Sequence, residues 1–191
     1  IYSLTTDGTN LWLLTVDSST STAFYKCTSC ASSANWSSQT APWTTETNLT
    51  AVSLTYDSTN SDLYAFVIKD TPEQAYYKST DTATISWGAQ TSFGFTADSI
   101  DGLGHISSPQ EGAGISQVAI VLRNGSDYMF SNLTPARSTV IDFGRVDSDT
   151  DSVYALTTDG TNLWLLTVDD TASTAFYKCT SCASSSSWTT Q

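Results

Sequence analysis

Ile1 to Asp17 reads IYSLTTDGTNLWLLTVD, and Val153 to Asp169 reads VYALTTDGTNLWLLTVD. The match runs on through STAFYKCTSCASS to Trp36 and Trp188, with nine differences among the 39 aligned pairs, Ile1–Gln39 against Val153–Gln191. So close a match marks a recent duplication of a long unit rather than an ancient structural repeat. Within that unit a shorter period of about 50 residues is visible. From Ala51 the chain reads AVSLTYDSTNSDLYAFVIKDTPEQAYYKSTDTATISW, which aligns Leu54 with Leu4, Asp57 with Asp7, Asn60 with Asn10, Tyr77 with Tyr25 and Lys78 with Lys26 across a two-residue insertion. A more diverged copy lies around HISSPQEGAGISQVAIVLRNGSDYMFSNL, where ISQVAIVL supplies a second strand and SDYMFSN a third.

Each copy reads as four short strands. In the first they are YSLTT, then LWLLTV after a DGTN turn, then TAFYKC, then a strand starting at Trp36. Asp7-Gly8 and Asp159-Gly160 are hairpin signals, because glycine takes positive φ cheaply. LWLLTV is apolar at nearly every position, as in a strand covered on both faces. A four-stranded antiparallel unit that recurs at this interval cannot bury both faces until it stacks on a neighbour, which predicts an all-β chain of tandem β-propeller blades. The approximate blades are 1–50, 51–97, 98–152 and 153–191. A row of β-sandwiches ranks second, since so short a repeat supplies too few strands for one sandwich.

Composition agrees. Thr, Val and the aromatics favour strands while Glu, Lys, Met and Arg are scarce, and no amphipathic helix stands out. Hydrophobic residues at 39% and aromatics at 12% are enough to build a core. The formal charge of -12 repels nucleic acid and anionic membranes, so neither is expected as a partner. No apolar run is long enough to span a bilayer, which argues against membrane insertion, and the start at Ile1 lacks signal-peptide features, as in a mature product or an excised piece.

The four cysteines form two CTSC motifs, Cys27 with Cys30 and Cys179 with Cys182. Zinc or redox chemistry is the competing reading, but the pairs lie in equivalent places of different blades and the one histidine, His105, sits in another unit. Structural disulfides are expected, and with them an extracellular or cell-surface location. Asn-x-Ser/Thr triplets at Asn35, Asn48, Asn124 and Asn132 agree with exposure.

Tyr76 to Trp87, YYKSTDTATISW, resembles the Asp-box, or sialidase-type, repeat through Ser79, Asp81 and Trp87, with Ala83 where glycine is usual. The resemblance implies a six-bladed sialidase-like ring, with the motif serving as a structural turn between third and fourth strands, away from any active site. Sialidases of this kind use an arginine triad, a Tyr–Glu pair and an acid/base carboxylate. Here Arg123, Arg137 and Arg145 all fall in the diverged third unit, and Glu is limited to Glu46, Glu73 and Glu111, so the resemblance covers the scaffold and not the catalytic set.

No enzyme is expected on these grounds. The leading expectation is a non-catalytic extracellular repeat module, a structural or adhesive element of a surface or filamentous assembly, with other copies of itself or further repeats of the same polypeptide as partners. The alternatives are a lectin-like module whose propeller face captures glycans and a hydrolase of sialidase-like fold. Trp43, in the inter-unit stretch TAPWTTETN, is the candidate ligand contact. No cofactor is expected beyond calcium, for which the alternating carboxylates Asp147, Asp149 and Asp151 are the candidate ligands, with a solvated connector as the competing reading.

Overall fold

The structure is a computed structural model that describes residues 2–18, 21–32, 35–46, 48–70, 73–93, 99–108, 115–124, 127–133, 152–159, 162–168, 174–179 and 188–191. All regular structure among them is β. Strands β1 (Tyr2–Thr6), β2 (Leu11–Ser18), β3 (Ser21–Cys27) and β4 (Trp36–Gln39) form one antiparallel sheet in chain order. A second sheet runs through β5 (Leu49–Asp57), β6 (Asp62–Asp70), β7 (Glu73–Asp81) and β8 (Thr91–Ser92). Strands β9 (Ser99–Ser108), β10 (Ile115–Asn124) and β11 (Asp127–Leu133) form the third sheet, and β12 (Ser152–Thr158), β13 (Leu163–Val168), β14 (Thr174–Cys179) and β15 (Trp188–Thr190) the fourth. These are β-propeller blades, each a meander whose neighbouring strands need only short turns. The chain divides into two compact units, Ile1–Ala97 and Asp98–Gln191.

In the first unit β1 and β2 lie against β5, so the first sheet stacks on the second. Alternation along the strands decides what meets there. Trp12, Leu14 and Phe24 leave one face of the first sheet and are fully buried against Val52, Leu54, Leu63, Ala65 and Val67 of the second. Trp12 stacks on Phe24 at 5.5 Å, and Trp87 meets Phe24 edge-on at 5.3 Å. Each large side chain withdrawn from water here contributes roughly 2–3 kcal/mol. One polar bond crosses the junction, from the Leu54 N–H to Ser3 Oγ at 3.0 Å.

The opposite side chains of β6, Tyr64, Phe66 and Ile68, are also buried, and Phe66 lies beside the rings of Tyr77 and Phe93. A strand buried on both faces explains the unbroken apolar run of LYAFVI. In the second unit β12 packs on β9, and Leu163, Leu165, Tyr177 and Cys179 are buried.

The hairpin turns follow the sequence closely. Gly8 takes φ +86°, the left-handed conformation its lack of a Cβ permits. The second sheet has Ser58 at that place, and its insertion moves the left-handed residue to Ser61, at φ +61°. A disulfide between Cys27 and Cys30 closes the turn from β3 to β4. Among the described residues no helix is long and apolar enough to cross a membrane.

Candidate functional site

The most repeated polar feature is the turn between the first two strands of a sheet. Asp7 Oδ1 accepts the N–H groups of Thr9 at 2.8 Å and Asn10 at 2.6 Å, while Oδ2 accepts Asn10 Nδ2 and Trp12 Nε1, each at 2.8 Å. Burial pushes the Asp7 carboxyl up, but these bonds outweigh it and hold the group below the ordinary carboxylate value. Asp159 repeats the arrangement with the Asn162 N–H, Asn162 Nδ2 and Trp164 Nε1. Asp57 repeats it with Thr59 and Asn60, where Tyr64 stands in place of the tryptophan. This aspartate role is absent from the sequence expectations, which credit the turn to its glycine. The spacing Asp-x-Thr-Asn, constant in three copies although glycine is not, is the signal that exposes it.

At the other end of the first two sheets, chain 40–48 joins β4 to β5 and brings together a polar and aromatic cluster. Trp43 Nε1 donates to Gln90 Oε1 at 2.8 Å, and the Trp43 backbone bonds Thr22 through both its N–H and its carbonyl. Lys69 Nζ donates to Glu46 Oε2 at 2.7 Å and Gln90 Oε1 at 2.9 Å, and lies 4.8 Å from the Tyr76 ring centre. Lys78 Nζ donates to Pro42 O at 2.7 Å and lies 5.5 Å from the Trp43 ring centre. Burial, with help from the like charge of Lys69 and against the pull of Glu46, lowers the Lys78 ammonium below its usual value. Tyr76 Oη donates to Gln74 Oε1 at 2.8 Å. Glu46 is half-buried and Gln90 exposed, so the cluster presents an acceptor carboxylate and a bifunctional amide to solvent beside a half-buried ring.

A second cluster is acidic. Asp57 pairs with Asp62 across β5 and β6, and Asp62 with Asp81 across β6 and β7, so three carboxylates share one cross-strand row. Asp57 is buried and saturated by its turn. Asp62 is pushed up, first by burial and then by the charges of Asp57 and Asp81. Directly opposed residues have Cβ atoms roughly 4.5–5.5 Å apart, close enough for the charges of Asp57 and Asp81 to act on Asp62.

The residues singled out from sequence are scattered. Asp81 Oδ1 accepts the Ala83 N–H at 2.6 Å, the Ser79 carbonyl accepts the Gly88 N–H, and Trp87 Nε1 donates to Thr40 O as its ring packs on the first sheet. Trp43 is not the exposed contact expected of it: it is 1% exposed, with its indole N–H bonded to Gln90 and its backbone bonded to Thr22. Cys179 is disulfide-bonded, and Cys182 lies outside the described residues. Asp147, Asp149, Asp151, Arg137, Arg145 and Glu111 also lie outside them, while Arg123 stands on β10 opposite Tyr128 and Ser99. No group of three or more acidic, His or Cys side chains suited to a metal occurs among the described residues.

No protein-family model matches the chain, and no curated protein matches it. Solved structures do. A bifunctional GH43-CE protein of Bacteroides eggerthii matches all of this chain with 27% of its own length, at 13% identity and a TM-score of 0.62. A GH43 endo-arabinanase from Bacillus licheniformis matches 99% of this chain with 75% of its own, at 16% identity and a TM-score of 0.56. The BP39L lectin from Burkholderia pseudomallei matches 98% of this chain with 53% of its own, at 11% identity and a TM-score of 0.62. This chain thus spans about a quarter to three quarters of the proteins whose fold it shares. The expectation of a non-catalytic structural or adhesive module, and with it the expectation that the chain is no enzyme, is corrected by these matches: the similar structures are glycoside hydrolases and a lectin. Near-identical repeats report how the chain was duplicated, which carries no information on what its blades bind.

Proposed function

We propose that this chain is a glycan-recognising β-propeller module that works in the extracellular space. The observation that carries the reading is the cluster at the end of the second sheet, where Lys69 lies over the ring of Tyr76 and donates to Glu46 and Gln90 while Gln74 accepts the Tyr76 hydroxyl. Sugar hydroxyls donate and accept at once, and a carboxylate, an ammonium and two amides around an aromatic ring answer both needs. The net charge of -12 favours neutral glycans over polyanionic ones. The Cys27–Cys30 disulfide supports the oxidising location. The test is calorimetric titration with arabino-oligosaccharides and a panel of other neutral glycans. Glu46→Gln, which keeps its shape but loses its charge, is expected to weaken binding about tenfold, the value of one charged hydrogen bond. Flat titrations across the panel end the reading.

Hydrolysis is a second reading, favoured by the Asp62–Asp81 pair. A carboxyl whose proton affinity is raised by burial and by neighbouring carboxylates, set beside a second carboxyl, offers the two groups that glycoside cleavage uses. It predicts release of reducing ends from arabinan that Asp62→Asn abolishes without loss of fold. Release unaffected by that change, or none at all, removes it.

A further inference from the structure

At the end of the second sheet the hydrogen-bonding directions are settled before any ligand arrives. Gln90 Oε1 accepts Trp43 Nε1 at 2.8 Å and Lys69 Nζ at 2.9 Å. An indole N–H and an ammonium can only donate, so the side-chain atom they share is the oxygen, and two donors fill both of its lone pairs. Gln90 is exposed, and its Nε2 hydrogens, which bond no other described residue, are left for solvent.

Lys69 settles Glu46 in the same way. Its ammonium donates to Glu46 Oε2 at 2.7 Å and lies 4.8 Å from the Tyr76 ring centre, so with Gln90 it has a partner for each of its three hydrogens. Lys69 is 8% exposed, whereas Glu46 is only half-buried, so the cation is withdrawn and the two groups it holds meet water. The second oxygen of the Glu46 carboxylate can only accept, and the outer end of Gln90 can only donate. Both groups bond the same nitrogen, which keeps them close together.

An acceptor beside a donor is the complement of two adjacent sugar hydroxyls, one giving its hydrogen to Glu46 and the other taking one from Gln90. A single hydroxyl answers only one of the two groups well, and an ether oxygen has no hydrogen to give. We infer that Glu46 and Gln90 clamp a vicinal diol of the glycan, with Lys69 and Trp43 as positioning residues that decide which end of Gln90 the ligand meets. This rests on the glycan reading above and adds to it the feature of the sugar that is read, a pair of free neighbouring hydroxyls.

Gln90→Glu in the intact chain provides a test that needs no ligand. The new carboxylate still accepts from both Trp43 and Lys69, and it offsets the surplus positive charge of Glu46, Lys69 and Lys78, whose Nζ lies 5.5 Å from the Trp43 ring centre. The thermal midpoint is therefore expected to hold or rise, and the Trp43 indole proton resonance to move downfield, because a carboxylate is the stronger acceptor. A midpoint that falls, or a resonance that moves upfield, overturns the inference and leaves the glycan reading standing.

Calorimetric titration supplies the second arm, with linear arabinotetraose, whose ring hydroxyls are free, and with the same sugar after O-methylation of those hydroxyls. Gln90→Glu and the methylated sugar are each expected to weaken binding about tenfold. Trp43→Phe keeps a buried ring but empties one lone pair of Gln90, and should weaken binding about threefold in the unmodified chain and have no further effect beside Gln90→Glu. That coupling is the signature of positioning, since a merely structural loss would persist in both backgrounds. Equal binding of the methylated sugar, full binding by Gln90→Glu, or additive effects of the two substitutions overturns the inference alone. A chain that leaves the tetraose unbound also loses it, and one that leaves the whole neutral panel unbound loses the glycan reading as well.

Discussion

Asp7 illustrates how much of this fold rests on one carboxylate placed beside a turn. Its two oxygens take four N–H groups, and one of these belongs to Trp12, whose ring is fully buried at the junction of two sheets. Removing the acceptor leaves a buried indole N–H unpaired, so Asp7→Ala should cost about 2 kcal/mol in urea unfolding. In a Trp12→Phe background the cost should shrink, since that donor is already gone, and the double-mutant cycle reads the coupling. The sign of the pH dependence follows from the lowered carboxyl. The unfolded chain binds the Asp7 proton more readily than the folded one, so this stabilisation is complete above about pH 4, the unfolded value, and is lost as pH falls through the folded value. Asp62 has the opposite sign, because burial and its acidic neighbours raise it. Its charge destabilises the fold once pH passes the raised value, so Asp62→Asn should raise the Tm at pH 7 and leave it unchanged below about pH 4, where both states are already protonated. The glycine of DGTN was readable as a turn residue from its conformational freedom, whereas the aspartate's reach to a tryptophan five positions on exists only after β2 has formed.

At the level of the element, strands were legible and the segments between them were not. LWLLTV announces a strand, though in β2 Leu11 and Leu13 are only half-buried, and the Cys27–Cys30 spacing announces a closed turn, since both are local properties of the chain. Trp43 was misjudged because nothing local marks it: it sits among polar residues, and the groups that bury it, Thr22 and Gln90, are 21 and 47 positions away. The two features can be ranked by experiment. A disulfide that closes only a four-residue loop removes little entropy from the unfolded chain, so replacing Cys27 and Cys30 with serine should cost about 2 kcal/mol at most. Trp43→Ala empties a buried indole site and removes one of the bonds to Gln90, which should cost about 3–5 kcal/mol. Urea midpoints for the two variants should fall in that order. The reverse order would mean that the linker 40–48 docks weakly and that the cysteine turn, not the tryptophan, holds the first two sheets in place.

At the scale of the whole molecule the repeat was the clearest feature of the sequence and, for function, the least informative. It fixes a blade architecture because a single four-stranded sheet cannot bury both of its faces, but the same architecture serves hydrolases and lectins alike.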